Sequence, residues 1–270
     1  MGGDAVTNSE SGNGSGGTVD GSAAVRIILV GTTHPGNIGA SARAMKAMGL
    51  QQLILVSPKT FPAAEATAMA SGADDILITA RVTPSLESAI EGSTLVFGTT
   101  ARARHLQWPT LSPAAAAEAV RIAVANGPVA IVFGREQSGL SNAELDLCQR
   151  AIRIPTVPDF NSLNLAQAVQ ICVYEVHKAL QTAPRADFDG SAQRDRAATA
   201  FELDKLHRHF VDTMAAVGYF DRASPKLLER RIRRLLHASN LRLSEAQILR
   251  GFLTAITHKL ELAGNASTAD

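Results

Sequence analysis

From Val25 onward the chain alternates two patterns of apolar and polar positions. Short β-branched runs, VRIILVG, LILVSP, DILITA, TLVFGTT, VAIVFG and AIRIP, are separated by turn signals and by Ala-rich stretches of helical period. The runs predict six strands, and the stretches between them predict helices near residues 39–48, 63–71, 84–91, 112–125, 141–148 and 163–181. Several strands are unbroken apolar runs rather than alternating ones, as expected when both faces of a sheet are covered. The expected fold is therefore α/β, a parallel sheet with helices on both faces. Polar, turn-rich residues around Pro184 to Gly190 end this pattern, and beyond them every apolar repeat is helical until Ala263. The chain divides into a tail over 1–24, an α/β domain over 25–183, a small all-helical C-terminal domain over 184–263 and a short end over 264–270.

Composition adjusts this picture in three places. Residues 1–24 are Gly- and Ser-rich with no Lys or Arg, a mixture that buries too little apolar surface to order itself, so a disordered tail is expected, as is a disordered end. The net charge of +1 conceals an asymmetry: residues 191–261 carry thirteen basic against eight acidic side chains, a local footprint for nucleic acid. Cys148 and Cys172 sit in apolar stretches without ligand spacing and read as reduced packing residues; the seven histidines form no ligand cluster, so no metal is expected. No apolar run approaches the roughly 18 residues of a membrane span, and no secretory signal opens the chain. The expectation is a cytoplasmic protein with no membrane partner.

In parallel α/β sheets ligands bind where loops leave the carboxyl ends of the strands. Three such loops are unusual. The first, Gly31 to Gly39, reads GTTHPGNIG and leads into a helix carrying Arg43. A dinucleotide site fits it poorly, since G-x-G-x-x-G spacing is absent and the second strand ends in Val56-Ser57-Pro58 without a ribose-binding acid. The second reads FGREQSGL, two glycines bracketing Arg135 and Glu136, whose plain reading is a turn with a surface ion pair. The third runs from Ile154 to NSLNL, where Ser162 alone would be an ordinary helix N-cap.

Taken in order, N-I-G, then G-R-E-x-x-G-L, then S-L-N-L, these loops resemble the three motifs of the SPOUT superfamily of RNA ribose 2′-O-methyltransferases over residues 25–181. The stretches HPGNIGASARAM, GTTARAR, VFGREQSGL and NSLNLAQAVQ are similar to its TrmJ branch. The resemblance implies a trefoil knot in the C-terminal half of the catalytic domain, S-adenosylmethionine as cofactor, tRNA as partner, a homodimer whose sites draw on both chains, and methylation of a cytidine or uridine ribose at position 32 of the anticodon loop.

It also implies site residues. Thr99, Thr100, Ala101, Gly134, Gly139, Leu140, Ile154, Asn161, Ser162 and Leu163 would wall the cofactor; plain core packing is an equal reading for Ala101 and Ile154. Arg43 would serve the 2′-hydroxyl. A guanidinium ordinarily keeps its proton, which favours holding the adjacent phosphate and stabilising alkoxide charge over action as a base, and both roles stay open. Asn37 would orient Arg43 or the substrate, Glu136 would hold that constellation, and Ser162 with Asn164 would contact the ribose or shape the pocket; turn formation and helix capping are the bland reading for Asn37 and Asn164. For RNA, Arg102, Arg104 and Trp108 combine phosphate contact with stacking, and Arg230, Arg231, Arg233 and Arg234 would line an outer ridge of a helix whose apolar side, Ile232, Leu235 and Leu236, faces a core. Two alternatives stay open: the same chemistry on ribosomal RNA, and a non-catalytic RNA-binding module.

Overall fold

The computed structural model describes residues 21–101, 109–157, 159, 162–182, 195–222 and 227–267. Seven strands, β1 (Val25–Val30), β2 (Gln52–Val56), β3 (Arg81–Thr83), β4 (Leu95–Thr99), β5 (Thr110–Leu111), β6 (Val129–Phe133) and β7 (Arg150–Ile152), form one sheet in the order β3-β2-β1-β6-β4-β7-β5. Every pairing is parallel. The central strands are almost wholly apolar, Arg26 of β1 apart, because successive side chains enter different cores. Val25, Ile27 and Leu29 of β1 with Val129, Ile131 and Phe133 of β6 face one core, while Ile28, Val30, Ala130 and Val132 face the other.

The first core is covered by α1 (Pro35–Ala47), α2 (Ala64–Ala70), α3 (Asp74–Thr79), α5 (Pro113–Ala123) and α7 (Leu165–Gln181). On the second lie α4 (Leu86–Ile90) and α6 (Asn142–Asp146), together with Ala200 at the start of α8 (Ala200–Ala216). Gly39 explains how closely α1 and α2 pack: a Cβ there would lie 2.0 Å from the Ala66 carbonyl oxygen. This glycine of the first motif thus serves helix packing. Cys148 and Cys172 are buried as expected, and burial pushes the Cys172 thiol up to about 12.

Two elements differ from the sequence reading. DILITA is helical: α3 buries Ile76 and Leu77 but exposes Ile78, and Asp74 and Asp75 occupy its first turn, where they favour the positive end of the helix dipole. The third strand is the Arg81–Thr83 run beyond it, and two-residue β5 completes the sheet. Helix α1 begins at Pro35, a residue suited to the first helical position, so Asn37 and Gly39 lie inside the helix rather than in the loop before it. Residues 21–24 form a 3-10 turn ahead of β1.

After α8 come α9 (Leu228–Ala238) and α10 (Leu243–Ser267), the last continuing past Ala263. These three helices share a core of Leu203, Leu206, Leu236, Ala246 and Leu253. Thr199 caps α8 through a reciprocal pair with Glu202, and Arg196 adds two hydrogen bonds at 2.8 and 2.6 Å to the same carboxylate. The Arg196 and Thr199 bonds hold the Glu202 carboxyl at about 2 against burial. A carboxyl depressed in the folded state stabilises above its unfolded value of 4.5 and loses that contribution as pH falls toward 2. Glu202→Gln is expected to cost about 1 kcal/mol near neutrality, with the melting-temperature gap to the parent closing on acidification below 4.5; a gap that is constant with pH would dissociate the carboxylate's charge from the cap.

Candidate active site

The loops leaving β4, β6 and β7 meet at the carboxyl ends of the strands around a cavity of about 490 Å³, and the loop leaving β1 joins them through its hydrogen bonds to Glu136. Thr99, Thr100 and Ala101 follow β4 into it; Gly134, Gly139 and Leu140 come from the loop after β6; Ile154, Ser162 and Leu163 come from the segment after β7. Of the expected cofactor wall only Asn161 is missing, and it lies outside the described residues. Phe133, Gln137, Ser138, Ile152, Thr156 and Ala168 also line the cavity; the first three belong to the FGREQSGL loop, whereas nothing but the fold turns Ile152, Thr156 and Ala168 inward.

The cavity depends on close backbone approach at Gly134. A Cβ there would lie 2.1 Å from the Gly139 carbonyl carbon and 2.2 Å from the Leu140 nitrogen, so any side chain collides with main chain. The loop returns on itself through a hydrogen bond from Gly139 N to Arg135 O at 2.9 Å.

Beside the cavity the three motifs are joined by a relay of side chains. Glu136 accepts hydrogen bonds from Thr33 N at 3.1 Å, His34 N at 3.1 Å and Asn37 Nδ2 at 3.0 Å. It therefore occupies the entrance of α1, where no side chain of His34 caps the helix. Asn37 in turn accepts from Asn164 Nδ2 at 3.0 Å, while Asn164 Oδ1 caps α7 by accepting from Ala166 N at 2.9 Å. Asn164 rather than Ser162 is thus the N-cap of α7, and Ser162 is left facing the cavity. Burial opposes the charge on Glu136, but Asn37 and the backbone donors outweigh it and hold the carboxyl below its usual range.

Arg135 and Glu136 do not pair with each other. Arg135 reaches Glu144 with two hydrogen bonds of 3.0 Å, and Glu144 closes the capping box of α6 with Ser141. One residue of the motif braces the loop against α6 and its neighbour braces α1. The spacing Ser141-x-x-Glu144 was the sequence signal for half of this arrangement.

Glu136→Ala removes an acceptor shared by three donors and is expected to cost about 1–2 kcal/mol. Glu136→Gln, which keeps an acceptor, recovers part of that. Urea unfolding of the two variants reads the difference; equal losses would show that charge, not acceptance, holds the relay.

Arg43 is placed elsewhere. It is exposed on α1, six residues and about 120° of helical turn from Asn37, and it does not line the cavity. Among the described residues it has no hydrogen bond or ion pair. Asn37 therefore orients Glu136 and Asn164 and not Arg43. The arginines of α9 divide: Arg230 pairs with Asp146 of α6 at 2.6 and 3.0 Å, and Arg233 pairs with Asp204 of α8 at 2.7 Å, whereas Arg231 and Arg234 are exposed. Leu236 enters the core of the helical part but Leu235 is exposed. Arg102, Arg104 and Trp108 lie outside the described residues.

The SpoU rRNA Methylase family matches residues 24–174, more than half of the chain, and the C-terminal domain of tRNA methyltransferase TrmJ matches residues 201–265. A protein of Pseudomonas aeruginosa named tRNA (cytidine/uridine/adenosine-2′-O-)-methyltransferase TrmJ is 46% identical over 237 residues, 85% of this chain and 92% of the relative. The chain belongs to the TrmJ branch of the SpoU methylases. A second TrmJ relative, tRNA (cytidine/uridine-2′-O-)-methyltransferase from Sodalis glossinidius, is 42% identical over 87% of this chain and 91% of its own. The crystal structure of TrmJ from Z. mobilis ZM4 superposes with a TM-score of 0.76 at 34% identity, covering 87% of this chain and all of the other. The parallel sheet and the helical extension are thus those of a TrmJ-type methyltransferase. Among the described residues no helix is long and apolar enough to cross a membrane.

Proposed function

We propose that this chain methylates a ribose 2′-hydroxyl of tRNA with S-adenosylmethionine, at the pyrimidine of position 32 in the anticodon loop. The observation that carries the reading is the cavity at Gly134, with the Glu136–Asn37–Asn164 relay running outward from its Glu136 wall, in a chain 46% identical to a named tRNA methyltransferase. The cavity fits the cofactor. It falls within the roughly 300–1,000 Å³ of small-molecule sites, and the loop that lines it doubles back so tightly at Gly134 that any Cβ would strike the main chain of Gly139 and Leu140. S-adenosylmethionine supplies an electrophilic methyl group on a sulfonium. Leu140, Ile152 and Ile154 supply the apolar wall, and the hydroxyls of Thr99, Thr100 and Ser162 supply polar contacts.

The relay is the positioning device. Asn37 and Asn164 spend their amides on each other, on Glu136 and on the α7 cap, so the three loops hold one geometry before any ligand enters. Arg43 supplies the charge that holds the phosphate and stabilises the alkoxide at the 2′-oxygen. Its exposure away from its own cavity supports a homodimer in which it serves the partner's site. Residues 25–183 form the catalytic unit and 184–263 the RNA-binding extension, with Arg231 and Arg234 exposed to meet phosphates; Arg102, Arg104 and Trp108, outside the described residues, are a second set of RNA contacts in this reading. A trefoil knot belongs to this reading, supported by β7 lying between β4 and β5 and by the segment after it meeting the loop after β6 in one cavity. A cytoplasmic location follows from the tRNA substrate.

The test is methyl transfer from labelled S-adenosylmethionine to unmodified total tRNA, with mass-spectrometric mapping of the modified nucleotide. A 2′-O-methyl group at position 32 is expected, and tRNAs with adenosine there define the base range. Transfer to ribosomal RNA alone, or none at all, overturns the proposal.

A further inference from the structure

The arginines of α9 divide by face. Arg230 and Arg233 stand three residues apart and share one side of the helix, with buried His237 one turn further on, whereas Arg231 and Arg234 share the exposed side. Both inward arginines are already engaged. Arg233 bonds Asp204 of α8, within the extension itself. Arg230 reaches out of the extension to the catalytic domain.

Its guanidinium donates from Nε to Asp146 Oδ2 at 2.6 Å and from Nη2 to Asp146 Oδ1 at 3.0 Å, a parallel two-bond pair of the kind that fixes both partners in one geometry. The pair is sheltered: the Asp146 side chain is 14% exposed and that of Arg230 29%. A phosphate could take Arg230 only by leaving a largely buried carboxylate without its partner, a loss that an exposed ion pair does not incur.

Asp146 is the last residue of α6, the five-residue helix between the loop after β6 and the start of β7. Two residues earlier the same helix carries Glu144, whose two bonds to Arg135 brace the loop that lines the cavity. One short helix therefore holds the cavity loop at Glu144 and the extension at Asp146. A further tie lies ahead of β4, where Ala200 N donates to Ser93 O at 2.8 Å and Ala200 packs into the second core. Ties at two separate points fix the orientation of one body on another, which a single tie does not.

We infer that Asp146 and Arg230 are positioning residues for methyl transfer: their bridge holds the outward ridge of Arg231 and Arg234 at a set distance and angle from the cavity, so that RNA gripped by the ridge presents its ribose to the methyl group. The inference rests on the reading of this chain as a tRNA methyltransferase. Neither residue touches RNA or cofactor. Their effect is on alignment, where a misplacement of about 1 Å costs about a hundredfold in rate.

The experiment compares Asp146→Asn, Arg230→Gln and the charge swap Asp146→Arg with Arg230→Asp in the full chain. It measures single-turnover methyl transfer at saturating tRNA and S-adenosylmethionine, and tRNA affinity across a salt series. Both single variants are expected to lower the saturated rate at least about tenfold while tRNA affinity and its salt slope stay at parent values. The swap is expected to recover most of the loss. A merely structural contact would lower the melting temperature and leave the saturated rate intact. If Arg230 instead grips phosphate, Arg230→Gln weakens tRNA binding and reduces the salt slope by about 1, while Asp146→Asn frees the guanidinium and strengthens binding. Those opposite signs overturn the inference, as does a saturated rate unchanged in both single variants. Hydrogen exchange, read without any substrate, is expected to quicken across residues 142–146 and 228–238 in Asp146→Asn. If the parent chain transfers no methyl group to tRNA, the functional reading is what fails, and unchanged exchange in both helices then overturns the bridge itself.

Discussion

Arg43→Ala is expected to lower methyl transfer by roughly 10²–10³-fold while S-adenosylmethionine affinity and the melting temperature stay at parent values. The side chain is exposed, is unbonded among the described residues and does not line the cavity, so its removal takes nothing from fold or pocket. On the proposed function, what it takes is the cation that would stand at the 2′-oxygen. Mixing chains refines the test: an Arg43→Ala chain paired with a Ser162→Trp chain, whose cavity is filled, contains one intact cavity facing one intact arginine only if the arginine acts across the dimer. Recovery of about half of one site's activity supports that arrangement. A fully active Arg43→Ala enzyme removes Arg43 from the chemistry.

Gly134→Ala should fail differently. Its methyl group would lie about 2.1–2.2 Å from main-chain atoms of Gly139 and Leu140, and main chain cannot turn aside as a flexible side chain can. Overpacking of this kind costs about 1–3 kcal/mol, and the displaced loop carries Leu140 and Glu136 with it. Loss of S-adenosylmethionine binding by at least about a hundredfold should therefore accompany a lower urea midpoint, the affinity being set by contacts that the loop positions. Parent-like affinity would mean that the loop after β6 does not approach the cofactor as closely as the cavity requires.

The sequence was most informative where its signals were local. Buried strands announced themselves as apolar runs, and the motif order placed nine of the ten expected cofactor residues on one cavity. DILITA misled because a short apolar run carries no period; what settles it is that the adjacent Ile76 and Leu77 are both buried, which an alternating strand with one covered face would not do, while Ile78 turns out. The relay was out of reach for a different reason. Asn37, Glu136 and Asn164 lie 99 and 127 residues apart in their two bonds, and nothing local marks the N–H groups of Thr33 and His34 as donors to Glu136. In α9 the period identified a basic helix correctly, but which arginines are committed depends on Asp146 and Asp204, carried by other helices.

The strand order also governs how the chain acquires its structure during synthesis. β1 finds β2 soon after it forms, but its other edge pairs with β6, Val25 against Val129, and β4 likewise waits for β6. Until Val129–Phe133 leaves the ribosome, two apolar strand edges stand open at what will be the middle of the sheet. Such edges are templates for pairing with other chains, and pairings so distant in sequence form slowly. Arrival of β6 is thus the event that joins the two halves of the sheet, with β7 left to link β4 to β5, and chaperone dependence should be greatest just before it.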